Sequence, residues 1–156
     1  MAASRRPGSL PSPRERRLAG IARRVLAWER AARTRVEIVL LDAPAMRRLN
    51  RRATGRRALT DVLSFAFPQP DASVIADVYI CPTAAALWLN TTRNGQRFGG
   101  KGKGERGRVD EELVRLTVHG TLHVLGYNHP EGVGRTRSVM WRKQERYVRR
   151  LLGAAR

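Results

Sequence analysis

DEELVRLTVHGTLHVLGYNH, residues 110–129, decides how this chain is read. Val114, Val118, Leu122 and Leu125 recur at helical spacing, and Leu113, Leu116 and Val124 cover much of the remaining circumference. A helix that is apolar nearly all round belongs inside a fold rather than on its surface. Asp110, Glu111 and Glu112 stand in the first turn, where negative charge complements the helix dipole. Gly126 is a natural stop after Leu125, because glycine accepts the positive φ that ends many helices. The predicted element is therefore a central buried helix over 110–125.

All three histidines of the chain fall in this stretch, at 119, 123 and 129. His119 and His123 are i, i+4, so their imidazoles project from one helix face about a turn apart. A reversal at Gly126 can carry His129 back toward them. Three neutral imidazoles meeting at a point suit Zn²⁺ or a similar divalent transition ion, and three protein ligands leave one position open. A helical His-x-x-x-His pair in a metalloprotease carries Glu directly after the first His as general base. Gly120 stands there instead, which disfavours peptide hydrolysis, and with Thr121 it lets neighbours pack closely on the helix.

Working outward, Val36–Leu41, Asp61–Phe67 and Ser73–Cys81 read as strands. The short Pro68–Asp71 link makes the second and third of them antiparallel neighbours. Arg14–Ala32 has amphipathic helical spacing, Asp42 caps a short helix, Thr83–Leu89 is helical, and a last helix covers Ser138–Leu152. The stretch 94–108 is glycine-rich and basic and is expected to be a mobile loop. It has no preceding strand, so it matches no phosphate or dinucleotide fingerprint. Together these predict an α+β fold: a small mixed sheet of about four strands packed with about five helices, the metal site lying on the central helix and the loop after it. Residues 1–13 read as a flexible basic tail and 14–156 as a single domain.

Composition narrows the partners. Lys and Arg number 31 against 13 Asp and Glu, a net charge of +18, which attracts polyanions and points to RNA or DNA. No run of ~18 apolar residues exists, so no spanning helix and no membrane partner is expected, although the basic amphipathic Arg14–Ala32 leaves surface adsorption open. The single cysteine, Cys81, rules out an intrachain disulfide; it suits an apolar core or, as the alternative, a fourth metal ligand.

The sequence resembles the YbeY family of metal-dependent endoribonucleases. The family's His-Gly-x-Leu-His-Leu-x-Gly-Tyr-Asp-His stands here as HGTLHVLGYNH, 119–129. Its Leu-Asn followed by Thr-Asp-Val-Leu-Ser-Phe stands as Leu49-Asn50 and Thr60–Phe65, and its Gly-Asp-Ile, more loosely, as Ala76-Asp77-Val78. The resemblance spans roughly 35–150. It implies a metal-dependent endoribonuclease that prefers single strands, and the histidine spacing makes the expected metal one zinc on His119, His123 and His129. It further implies action in small-subunit rRNA 3′-end maturation and ribosome quality control. The partners would be single-stranded RNA, rRNA and the ribosomal small subunit, and the location a bacterial cytoplasm rather than an organelle. Asn128 replaces the family's Asp before the last His. Thr54 replaces the family's arginine after Leu-Asn, so Arg56 or Arg57 is the expected catalytic cation. The general base is open: Glu131 is a candidate, and Asp61, Asp77 and Ser64 each have a structural alternative. The competing function is a non-catalytic ribosome-assembly factor that binds RNA and holds a structural metal.

Overall fold

A computed structural model of the chain describes residues 8–91 and 104–153. Helix α1 (Pro13–Trp28) opens on a capping box, in which Ser12 Oγ accepts from the Glu15 N–H at 3.1 Å and Glu15 accepts from the Ser12 N–H at 2.7 Å. The end of the expected tail is thus built into a helix start, with Pro13 in the first turn, where its missing N–H costs nothing. Residues 1–7 of that tail lie outside the described residues. The second Glu15 oxygen accepts from the Leu40 N–H at 3.0 Å and ties α1 to the first strand.

The sheet has three strands among the described residues, those whose patterns mark them in the sequence, where about four were expected. They are β1 (Thr34–Leu40), β2 (Val62–Pro68) and β3 (Val74–Ile80), in the order β1-β3-β2. β3 pairs with β1 in parallel and with β2 as an antiparallel hairpin. Asp71 accepts the Ser73 N–H at 3.0 Å and Ala72 takes a φ of 66°, which closes that hairpin. Between β1 and β2 runs α2 (Ala43–Thr54), capped at 2.8 Å by Asp42 on the Ala45 N–H and ended by Gly55 at φ 74°. Helix α3 (Pro82–Thr91) follows β3.

Helix α4 (Glu105–Val124) is the centre of the molecule. It starts five residues ahead of the predicted Asp110, because Gly104 serves as its cap and Glu105 already places a carboxylate in the first turn. The last part of the stretch read as a basic loop is therefore helical, with Arg106 and Arg108 exposed, and residues 94–103 lie outside the described residues. One side of α4 packs Leu113 and Leu116 against Leu18, Ala22, Ile38, Val78 and Ile80. The other packs Val114, Val118 and Leu122 against Met140, Val148 and Leu151 of α5 (Val139–Gly153). The all-round apolar pattern is thus realised as burial between sheet, α1 and α5. Contact with the sheet is closest at Gly120, where a Cβ would stand 2.6 Å from Val78 Cγ1 and 2.9 Å from Ser64 Oγ. Among the described residues no helix is long and apolar enough to cross a membrane.

Candidate metal centre

The reversal after α4 is built from backbone. Gly126 takes a φ of 92°, and the N–H groups of Gly126 and Tyr127 return to the carbonyls of His123 and Leu122 at 3.0 and 3.1 Å. This swings His129 against the helix face that carries His119 and His123. Nε2 of His119 lies 3.0 Å from Nε2 of His123 and 3.4 Å from Nε2 of His129, and one ligand atom from each ring falls within 4.8 Å of the others.

The other nitrogen of each ring identifies the tautomer. His119 Nδ1 lies 2.7 Å from Gln144 Oε1, His123 Nδ1 lies 2.9 Å from the Tyr127 carbonyl, and His129 Nδ1 lies 3.0 Å from the Pro130 carbonyl. A carbonyl oxygen can only accept, so each Nδ1 carries the hydrogen and each Nε2 turns a bare lone pair inward. The Gln144 amide is fixed in turn, since its Nε2 donates to Glu145 Oε1 at 3.2 Å and that carboxylate is held by Arg115 at 3.0 Å. Such outer bonds fix ring orientation and raise ligand basicity. Three converging lone pairs repel one another unless a cation lies between them, so the donor set fits a divalent metal ion.

Electrostatics favour the ligand form. Burial pushes His119 down to about 4; its bond to Gln144 opposes this, while His123, Arg135 and His129 add to it. His123 is also lowered, first by burial, then by His129 and by Arg135. Both rings are therefore neutral near pH 7.

The remaining candidates separate on inspection. Arg56 reaches the loop after His129 through an exposed ion pair with Glu131 at 3.9 Å. Arg57 is exposed and makes no ion pair among the described residues. Thr54, at the position of the family's arginine, donates to Asn50 Oδ1 at 2.8 Å, and Asn50 Nδ2 bonds the Ala58 carbonyl at 2.8 Å, so these residues brace the loop that leads into β2. Ser64 spends its hydroxyl on the Gly120 carbonyl at 3.1 Å. Asp77 sits directly across from Glu37 in the sheet, and burial and that neighbour raise it. Asp61 is raised by burial, with Arg135 opposing. Cys81 is fully buried in the apolar cluster of Val39, Leu41 and Met46 and does not join the histidines. Asn128 is exposed and bonds the Gly126 carbonyl at 3.4 Å, while all three Nδ1 atoms find other acceptors. Sequence reasoning missed Arg135, in the 3-10 turn Arg135–Arg137, whose charge bears on His119, His123 and Asp61. The nearest signal was the Gly132 and Gly134 pair, which takes φ of 76° and 93° and folds the chain back after His129.

The family model for endoribonuclease YbeY matches residues 12–152. Endoribonuclease YbeY of Thermotoga sp. (strain RQ2) is 30% identical over 118 residues, 76% of this chain and 68% of that protein. Endoribonuclease YbeY of Anaeromyxobacter sp. (strain Fw109-5) is 35% identical over 144 residues, 90% of this chain and 67% of that protein. The solution structure of TM1509 from Thermotoga maritima superposes with a TM-score of 0.57 at 23% identity, covering 97% of this chain and 87% of that one, and so shares the fold.

Proposed function

The chain belongs to the endoribonuclease YbeY family, and from that premise we propose that it is a zinc-dependent endoribonuclease that cuts single-stranded RNA at the three-histidine centre. Its substrate is rRNA of the small ribosomal subunit, whose 3′ end it matures, and its place is the bacterial cytoplasm. The observation that carries this proposal is the inward convergence of three Nε2 lone pairs, each fixed by an acceptor on its own Nδ1.

His119, His123 and His129 hold the ion. A zinc ion there supplies Lewis acidity toward water and toward a phosphoryl oxygen. The protein's own groups do the rest. Arg135, whose charge bears on the histidines from the turn beyond them, offsets the negative charge that builds up on the phosphoryl group, and Arg56, on the rim through Glu131, helps to hold the strand there. Arg57 is the weaker partner of Arg56, because no ion pair fixes it among the described residues. Glu131 is paired with Arg56 and largely solvated, which makes it a poor general base. The surplus of positive charge holds the strand by its phosphates, so cleavage weakens as salt rises.

Metal analysis of the wild type beside His123→Ala, with RNA cleavage assayed on both, tests this. The expected result is one zinc per chain and cleavage in the wild type, with both lost in the variant. Retained cleavage in a metal-free variant refutes it. Zinc and RNA binding with no cleavage at any enzyme ratio would instead mark an assembly factor.

A further inference from the structure

Glu29 closes α1 as its C-cap, where the helix dipole is unfavourable to a carboxylate. Its side chain is nevertheless only 10% exposed and collects three donors. Lys143 Nζ approaches at 2.8 Å and the Tyr147 hydroxyl bonds it closely, both from α5. The Tyr127 hydroxyl donates at 2.7 Å from the loop after α4. Lys143 also stands 4.9 Å above the Tyr127 ring, so that ring is gripped on its face as well as at its tip. Burial alone would raise Glu29; the bonds from Lys143, Tyr147 and Tyr127 outweigh it and keep the group below its ordinary value.

The other end of Tyr127 belongs to the metal centre. Its carbonyl is the acceptor for His123 Nδ1 at 2.9 Å, and its N–H is held by Leu122. A residue chosen against the local helix preference, at the hub of three elements, calls for a role beyond ending α1. We propose that Glu29 is a positioning residue: by fixing the Tyr127 ring it sets the carbonyl that orients His123 for metal binding. The inference rests on the three histidines being a metal centre. It predicts that metal affinity responds to a carboxylate that touches none of the ligands.

The test uses the full chain, wild type and the variants Glu29→Gln, Tyr127→Phe, Tyr147→Phe and His123→Ala. Zn²⁺ affinity is read by competition with a chromophoric chelator, Co²⁺ loading by its visible spectrum, and metal-free stability by thermal melting. Glu29→Gln and Tyr127→Phe are each expected to lower Zn²⁺ affinity on the order of tenfold and to change the Co²⁺ bands. Tyr147→Phe, which removes a donor to Glu29 but leaves the Tyr127 bond, is expected to lower the melting point and keep Zn²⁺ affinity within about twofold of wild type, as a stability change distant from the ligands should. Wild-type affinity and spectrum in both Glu29→Gln and Tyr127→Phe would overturn the inference, whatever their melting points. Should Glu29→Gln fail to fold, Tyr127→Phe alone decides. If His123→Ala binds Zn²⁺ as tightly as wild type, the metal centre itself is refuted, and the inference falls with it.

Discussion

Ser64 donates its hydroxyl to the carbonyl of Gly120 at 3.1 Å, so β2, the strand that carries the motif Thr60–Phe65, is bonded directly to the helix residue that follows His119. The contact exists because position 120 lacks a side chain. Gly120→Ala would gain up to ~1 kcal/mol of helix propensity. It would also drive a methyl into Val78 and Ser64, an overpacking that costs about 1–3 kcal/mol. A net loss of stability in urea melts is expected, together with weaker zinc binding as α4 shifts and His119 with it. Unchanged midpoints would show that the sheet yields freely there.

Gln144 is the only acceptor that His119 Nδ1 has among the described residues. Gln144→Leu keeps the bulk and removes the acceptor, which leaves the tautomer unselected and a buried N–H unpaired. Zinc affinity should fall about 10- to 100-fold in a chelator competition. A change smaller than twofold would remove Gln144 from the account of the site.

Arg135 and Arg56 differ in what they offer the phosphoryl group. Arg135→Ala should lower kcat on the order of a hundredfold with little change in KM, and Arg135→Lys should restore part of it. The double variant Arg56→Ala/Arg57→Ala should mainly raise KM for RNA, since Arg56 is engaged with Glu131 on the rim while the charge of Arg135 bears on the histidines themselves. A kcat effect larger in the double variant than in Arg135→Ala would reverse these assignments.

Metal-free protein should lose stability as pH falls from about 6.5 to about 4. His119 has an ordinary value of 6.5 but sits at about 4 in the fold, mainly through burial. Within that window the unfolded chain binds the proton and the native chain does not, so stability rises with pH and falls with acid. The slope contributed by this ring is at most about 1.4 kcal/mol per pH unit. Denaturant melts in the presence of chelator between pH 4 and 7 measure it, and His119→Gln should flatten the curve over the same range.

Much of the site was legible in residues 110–129, because helical spacing and a glycine stop determine where two imidazoles point and how a third returns. The three strands and the Pro68–Asp71 hairpin were legible for a like reason, as alternation and turn residues are local properties. The start of α4 was not, since Gly104 and the arginines after it carry loop composition while obeying a helix cap. Nor were the partners of the histidine rings. Gln144, Tyr127 and Arg135 reach the centre through tertiary packing, and no pattern within 119–129 selects them. Thr54, which stands where the resemblance calls for an arginine, bonds Asn50 instead, and that partnership is likewise set by packing rather than by any local pattern.

Gly126 divides the three histidines into two bolted to the molecule's spine and one carried by the loop beyond it. An ion caught between them is then a latch. Its arrival should be felt less by the helix than by the loop past Tyr127, and amide exchange along 128–131 is where that fastening would register.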